Sequence, residues 1–304
     1  MTDLVSDFEE VEDFTEAIRA LTALEKLDMN LGNCTMSSES FLVLANRIGS
    51  MKSLQNLKLG LNSHNEIWTT QIKAFCGALG KLALKQLDLN LWCSRSINDL
   101  GVKLLAEGIQ TQQSLEKLQL RFLIAKLLTN RGLEFIYEGL KKLKLKSLDI
   151  DCPKINGISD NTLKALGDAL KTMDLLECLR LDFQICVEFT SQGLANLAKG
   201  LCQLKNLRDL TIHTCRFLNL NDEGLSHIGK ALHQLSKLEE LQVQMPMSQF
   251  LTDEGLRVFV YYLKSLKYLD YLFLNFGSAP NVTSQSEGSL KEGFKGKSIT
   301  ILLR

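Results

Sequence analysis

Proline is scarce: Pro153, Pro246 and Pro280 are the three in 304 residues. That scarcity excludes a Pro-rich linker or a collagen-like chain. Long apolar runs are missing too. The longest, Val258–Leu263, falls far short of the roughly 18–20 residues a membrane helix needs. Neither sign of charge is in excess, since 35 Lys+Arg face 35 Asp+Glu. A protein that coats nucleic acid or an anionic membrane needs a clear basic surplus, so neither partner is expected. Histidine is rare, and His227 and His233 stand six apart, off a common helical face; no zinc pair or other metal site follows from that spacing. The eight cysteines include no CxxC pair. Disulfide frameworks belong to short secreted chains, so free, mostly buried thiols are expected. The acidic start MTDLVSDFEEVEDF has no apolar core of a secretory signal, and a cytoplasmic protein is the expectation.

What the sequence does have is a repeat. The string L-x-x-L-x-aliphatic opens at Leu24, Leu54, Leu84, Leu115, Leu145, Leu176, Leu207, Leu238 and Leu269, in steps of 30 or 31 residues. The second column is leucine throughout, from Leu27 to Leu272, and the third is aliphatic, from Met29 to Leu274. A fourth apolar column follows seven residues later, including Ile97, Leu128, Ile158, Phe189, Leu220 and Leu251. Four columns held in phase over nine copies cannot be chance.

Within each copy the apolar period changes from 2 to 3.6. Leu179-Arg180-Leu181-Asp182-Phe183 alternates as a half-buried strand does. Leu225, Ile228, Leu232 and Leu235 then share one face of a helix. Asp99, Asp160, Ser191, Asp222, Asp253 and Ser284 precede the helices in one column, where an oxygen can cap the first turn. Each copy therefore reads as strand, loop, helix, loop.

These units resemble leucine-rich repeats of the ribonuclease-inhibitor-like class, which share L-x-x-L-x-L followed by L-x-D-x-G-x-x-x-L. Leu251-Thr252-Asp253-Glu254-Gly255-Leu256 and Ile158-Ser159-Asp160 carry the second motif. One departure is the absence of a fixed Asn or Cys column beyond the strand. Instead the alternation extends to Leu31, Leu61, Leu91, Phe122, Phe183 and Phe276, which predicts longer strands. The resemblance implies an α/β solenoid, an open horseshoe of about nine repeats with a parallel sheet on the concave face and helices on the convex one. Strands pack about 4.8 Å apart and helices about 8–10 Å, which forces such a curve. The expected organisation is an N-terminal capping helix over 1–23, repeats over 24–283 and a C-terminal capping segment over 284–304, ending in a strand at Ile299–Leu303. Phe8, Val11, Phe14, Ile18 and Leu21 fall near helical spacing in the first cap, and Lys291, Lys295, Lys297 and Arg304 mark the last edge.

No catalytic or cofactor-binding constellation is legible. Asp149 and Asp151 lie two apart on a strand and read as an acidic surface. The string Lys141–Lys146 bridges a helix end and a strand, where lysine is electrostatically expected. The favoured function is accordingly a non-catalytic protein-binding or scaffold module. The resemblance extends this to adaptors, inhibitors and structural subunits of larger assemblies, cytoskeletal or axonemal ones among them. Two alternatives come with it. One is a GTPase-activating protein for a small GTPase, with Arg95, Arg121 or Arg216 as the supplied arginine. The other is a substrate receptor for ubiquitin ligation.

Three surfaces are candidates for the partner. Asp149, Asp151, Asp182, Asp209 and Glu240 form an expected acidic patch on the concave face, suited to a basic segment. Val258, Val260 and Tyr261 are expected to face outward on the convex side, as are Phe135 and Tyr137 in the fourth unit, for an apolar contact. Tyr271 and Phe273 break an otherwise polar column on the last strand. They read either as a recognition hot spot or as rings buried beneath a loop over Gly277–Ser286.

Overall fold

The computed structural model describes residues 23–31, 37–61, 69–91, 97–122, 127–153, 155, 158–184, 188–214, 219–283, 294 and 298–303. The expected N-terminal helix, the four terminal basic residues, Arg95 and Arg216 lie outside that set. The chain divides into two compact units, Met1–Ile155 and Asn156–Arg304.

In the first unit, β1 (Lys26–Asn30), β2 (Asn56–Gly60), β3 (Gln86–Asn90), β4 (Lys117–Arg121) and β5 (Ser147–Asp151) pair in parallel, each with the next. Between them run α1 (Ser38–Ser50), α2 (Thr69–Leu79), α3 (Asp99–Ile109) and α4 (Asn130–Leu140). The second unit repeats the plan. Its strands are β6 (Cys178–Asp182), β7 (Asp209–His213), β8 (Glu240–Gln244), β9 (Tyr271–Asn275) and β10 (Ser298–Leu302), again parallel and in chain order. Its helices are α5 (Asp160–Leu170), α6 (Ser191–Leu201), α7 (Asp222–Leu232) and α8 (Asp253–Leu263). This is the α/β repeat solenoid that the 30–31-residue period predicts, with a tenth strand close to where the C-terminal alternation places it.

Register follows the leucine columns. Leu57 pairs with Leu27 and Leu87, and Leu241 with Leu210 and Leu272. All are buried against the helix layer. Residues between them point to the other side of the sheet, its open face. The strands are five residues long, shorter than expected. Leu31, Leu61, Leu91, Phe122, Phe183 and Phe276 are buried as the alternation demands, but they follow the strands. Their N–H groups still reach the next strand, as in Leu31 to the Gly60 carbonyl at 2.8 Å. In the turns after β8 and β9, Met247 (φ 66°) and Ser278 (φ 62°) adopt the left-handed conformation at equivalent positions.

The helix starts correct one expectation. The capping residue stands one position before the aspartate column: Asn98 accepts from Gly101, Asn221 from Gly224 and Thr252 from Gly255. The aspartate, first in its helix, reaches the following repeat instead. Asp222 accepts the Thr252 N–H at 2.8 Å and the Thr252 hydroxyl at 2.6 Å. Asp99 does the same for Thr129, Asp160 for Thr190 and Asp253 for Thr283. This contact accounts for glycine two positions after the aspartate, because a Cβ on Gly255 would stand 2.0 Å from the Asp222 Oδ1.

Candidate partner-binding surface

The open sheet face of the first unit carries alternating charge that is largely matched internally. Lys58 Nζ lies 3.0 Å from Asp28 Oδ2, and Arg121 Nη1 lies 2.9 Å from Asp88 Oδ1. Gln119 donates to Asp149, and Asp151 is half-buried at the end of β5. Burial pushes the Asp88 carboxyl above the ordinary range, and the positive charges of Arg121 and Lys58 only partly offset it. Arg121 is thus engaged by an aspartate rather than held on a projecting loop.

In the second unit Asp182 departs from its expected place in a solvated acidic patch. Its side chain is only 5% exposed. The sequence placed it on the open face correctly, but the end-of-strand position next to β7 brings His213 over it. His213 Nδ1 stands 3.1 Å from Asp182 Oδ2, and Gln184 donates from both its backbone N–H (3.2 Å) and its Nε2 (3.1 Å). Burial raises the Asp182 carboxyl, but these bonds and the His213 charge outweigh it, leaving the group below the usual carboxylate range.

Asp209 and Glu240 stand in register on β7 and β8, and Tyr271 follows them on β9. The Cys178 thiol lies 3.5 Å from Asp209. No cation lies within ion-pair distance of either carboxylate among the described residues. Phe273 stands one row on, beside Gln242. Both rings are half-buried, flanked on the far side by Ser298 and Thr300 of β10. Asp149 and Asp151 belong to the first unit, whereas Asp209, Glu240, Tyr271 and Phe273 make one contiguous group in the second.

The expected apolar outer face of α8 is only part of what stands there. Tyr261 is 73% exposed and Val258 half-buried, but Val260 is a core residue at 6% exposure. In α8 the buried set is Gly255, Leu256, Phe259, Val260 and Leu263, a stripe wide enough to take in Val260. Tyr137 in α4 is likewise fully buried, and Phe135 is half-buried beneath Lys103 and Arg131, each 5.6 Å from its ring centre. The sequence reading did not single out Tyr268 and Phe250, exposed at 64% and 58%. Each sits in a connection, where periodicity gives no signal.

Among the described residues no group of three or more His, Cys, Asp or Glu is placed to hold a metal. No described helix is long and apolar enough to cross a membrane. The Cys76 thiol is pushed up to about 12 by burial, which leaves it protonated and unreactive.

No protein-family model matches the chain, and no curated protein matches it. Among solved structures, a similar chain is found in the one described as the crystal structure of the Rad7 and Elc1 complex in yeast. It shares 12% identity at a TM-score of 0.42, over 97% of this chain and 88% of that one. So loose a likeness carries no argument about function.

Proposed function

We propose that the chain is a non-catalytic protein-interaction module, and that the open sheet face of its second unit receives a basic segment of a protein partner. The row Asp209, Glu240, Tyr271 with Phe273 beside it carries this reading. Elsewhere on the two sheet faces Asp28, Asp88 and Asp182 are matched by Lys58, Arg121 and His213. Asp209 and Glu240 keep their charge available, and an available carboxylate beside aromatic rings suits lysine or arginine. The cation can pair with the acid while its stem lies along the ring. Tyrosine and other aromatics are also where interface energy concentrates. Repeat solenoids present such rows as extended surfaces without any chemistry of their own.

Affinity capture with the whole chain, then mass spectrometry, identifies the partner, and calorimetry measures its binding. Asp209→Lys with Glu240→Lys is expected to weaken binding at least about tenfold and to flatten its salt dependence. Tyr271→Ala with Phe273→Ala is expected to cost about 2 kcal/mol of binding with an unchanged Tm. Binding untouched by both double changes removes the reading. A clear fall in Tm with the aromatic pair assigns those rings to stability instead.

A further inference from the structure

The connections that lead from each helix end into the next strand carry different charge in the two units. In the first unit, residues 51–56, 80–86, 110–117 and 141–147 hold eight lysines and no arginine against one acid, Glu116. The matching connections of the second unit, 171–178, 202–209, 233–240 and 264–271, hold six basic and six acidic residues. Both sets follow helix C-termini, so the negative end of the helix dipole acts on both alike. The dipole therefore explains a lysine such as Lys52, whose Nζ donates to the Gly49 carbonyl at 3.2 Å and the Lys81 carbonyl at 3.1 Å. It does not explain Lys85, Lys117, Lys144 and Lys146, which lie beyond the helix ends.

These lysines form one edge. The Lys85 carbonyl accepts the N–H groups of Glu116 (2.8 Å) and Lys117 (3.0 Å), and the Glu116 carbonyl accepts that of Lys146 (2.8 Å). Three successive turns of the solenoid thus bring the lysines side by side, all exposed. The single acid is already used, since Glu116 Oε2 lies 3.0 Å from Lys146 Nζ. Lys81, Lys85 and Lys117 have no anionic partner among the described residues.

We infer that this lysine edge of the first unit docks an acidic polypeptide segment of a partner protein. The Glu116–Lys146 pair shows a carboxylate on the adjacent turn lying within ion-pair distance of one of these lysines. The four connections contain no aromatic residue on which a base would stack. Lysine in every position supplies point charges rather than the planar fork that grips phosphate in two places. Their leucines, among them Leu54, Leu82, Leu84, Leu115, Leu143 and Leu145, are buried, so nothing is left to enter a bilayer. This surface is separate in residues and opposite in sign from the face proposed for the second unit.

The test is fluorescence anisotropy of the whole chain with a labelled oligo-glutamate peptide, a labelled DNA duplex and phosphatidylserine vesicles, at low and physiological ionic strength. The peptide is expected to bind best. The fourfold variant Lys85→Gln, Lys117→Gln, Lys144→Gln and Lys146→Gln should weaken it about tenfold. The second-unit counterpart Lys205→Gln, Arg208→Gln, Lys237→Gln and Lys267→Gln should change it less than about twofold. Equal weakening by both variants overturns the inference, as does tighter binding of DNA or vesicles than of peptide. A measurement without mutation guards against misfolding: saturating peptide should protect Lys85 and Lys117 from an amine-acylating reagent, read by mass spectrometry. Unprotected lysines refute the docking site.

Discussion

Asp88 and Asp182 are both nearly hidden beneath a sheet face, yet their surroundings move them in opposite directions. Burial dominates at Asp88 and raises its carboxyl. Stability linked to it therefore falls as pH climbs from the ordinary value of 3.8 through the raised one. At Asp182 burial also pushes upward, but hydrogen bonds from His213 and Gln184 win and lower the group. Its contribution is complete above 3.8 and is lost as pH falls through the depressed folded value. Asp182→Asn is accordingly expected to cost about 2 kcal/mol at neutral pH, the range for hydrogen bonds to a charged group. That gap should close in urea melts run below about pH 4. A gap that stays constant into acid would show that the charge on Asp182 contributes nothing.

Helix packing in the second unit depends on two glycines. A Cβ added to Gly200 in α6 would stand 2.3 Å from the Gly167 carbonyl oxygen, and one on Gly167 in α5 would stand 2.4 Å from that of Asn196. The two backbones touch directly, and any side chain must part them. Gly200→Ala should therefore destabilise by about 1–3 kcal/mol, the cost of overpacking, although alanine favours a helix by roughly 1 kcal/mol. Gly77 in α2 has nothing within 4 Å of its added Cβ, so Gly77→Ala should stabilise by about 0.5–1 kcal/mol. Urea midpoints for the pair check both, and a neutral Gly200→Ala would mean that the helices slide apart freely. At this scale much was legible in advance. Leucine columns predict the register of β1 to β5 in the first unit and of β6 to β9 in the second, because inward residues must repeat with period 2. The capping position was displaced by one because the aspartate oxygens bond to a threonine 30 residues away, and a local reading sees only the first helical turn. Asp182 was misjudged for a related reason, since His213 of the neighbouring repeat covers it, whereas Val260 was misjudged because the buried stripe of α8 is wide enough to include it.

Across the whole chain, each described repeat is stabilised chiefly by its neighbours, with Leu87 and Leu241 buried in equivalent places of the two units. Arrays of this kind lose structure locally and share the loss with adjacent copies. Leu87→Ala and Leu241→Ala are each expected to cost about 2–5 kcal/mol. Hydrogen exchange should quicken most in the altered repeat and its two neighbours, fading with distance along the chain. Uniform quickening everywhere would show all-or-none unfolding instead. The aspartate that completes the next threonine has an evolutionary counterpart. Four junctions use the same pair of bonds, and the copy that contains Thr252-Asp253 carries both halves of the join, so a tandem duplication of that copy by unequal recombination would arrive with its junction already encoded. A gene built this way can lengthen or shorten by whole copies in one step, and copies of 30 and 31 residues in the same register show that a one-codon difference is absorbed within a connection.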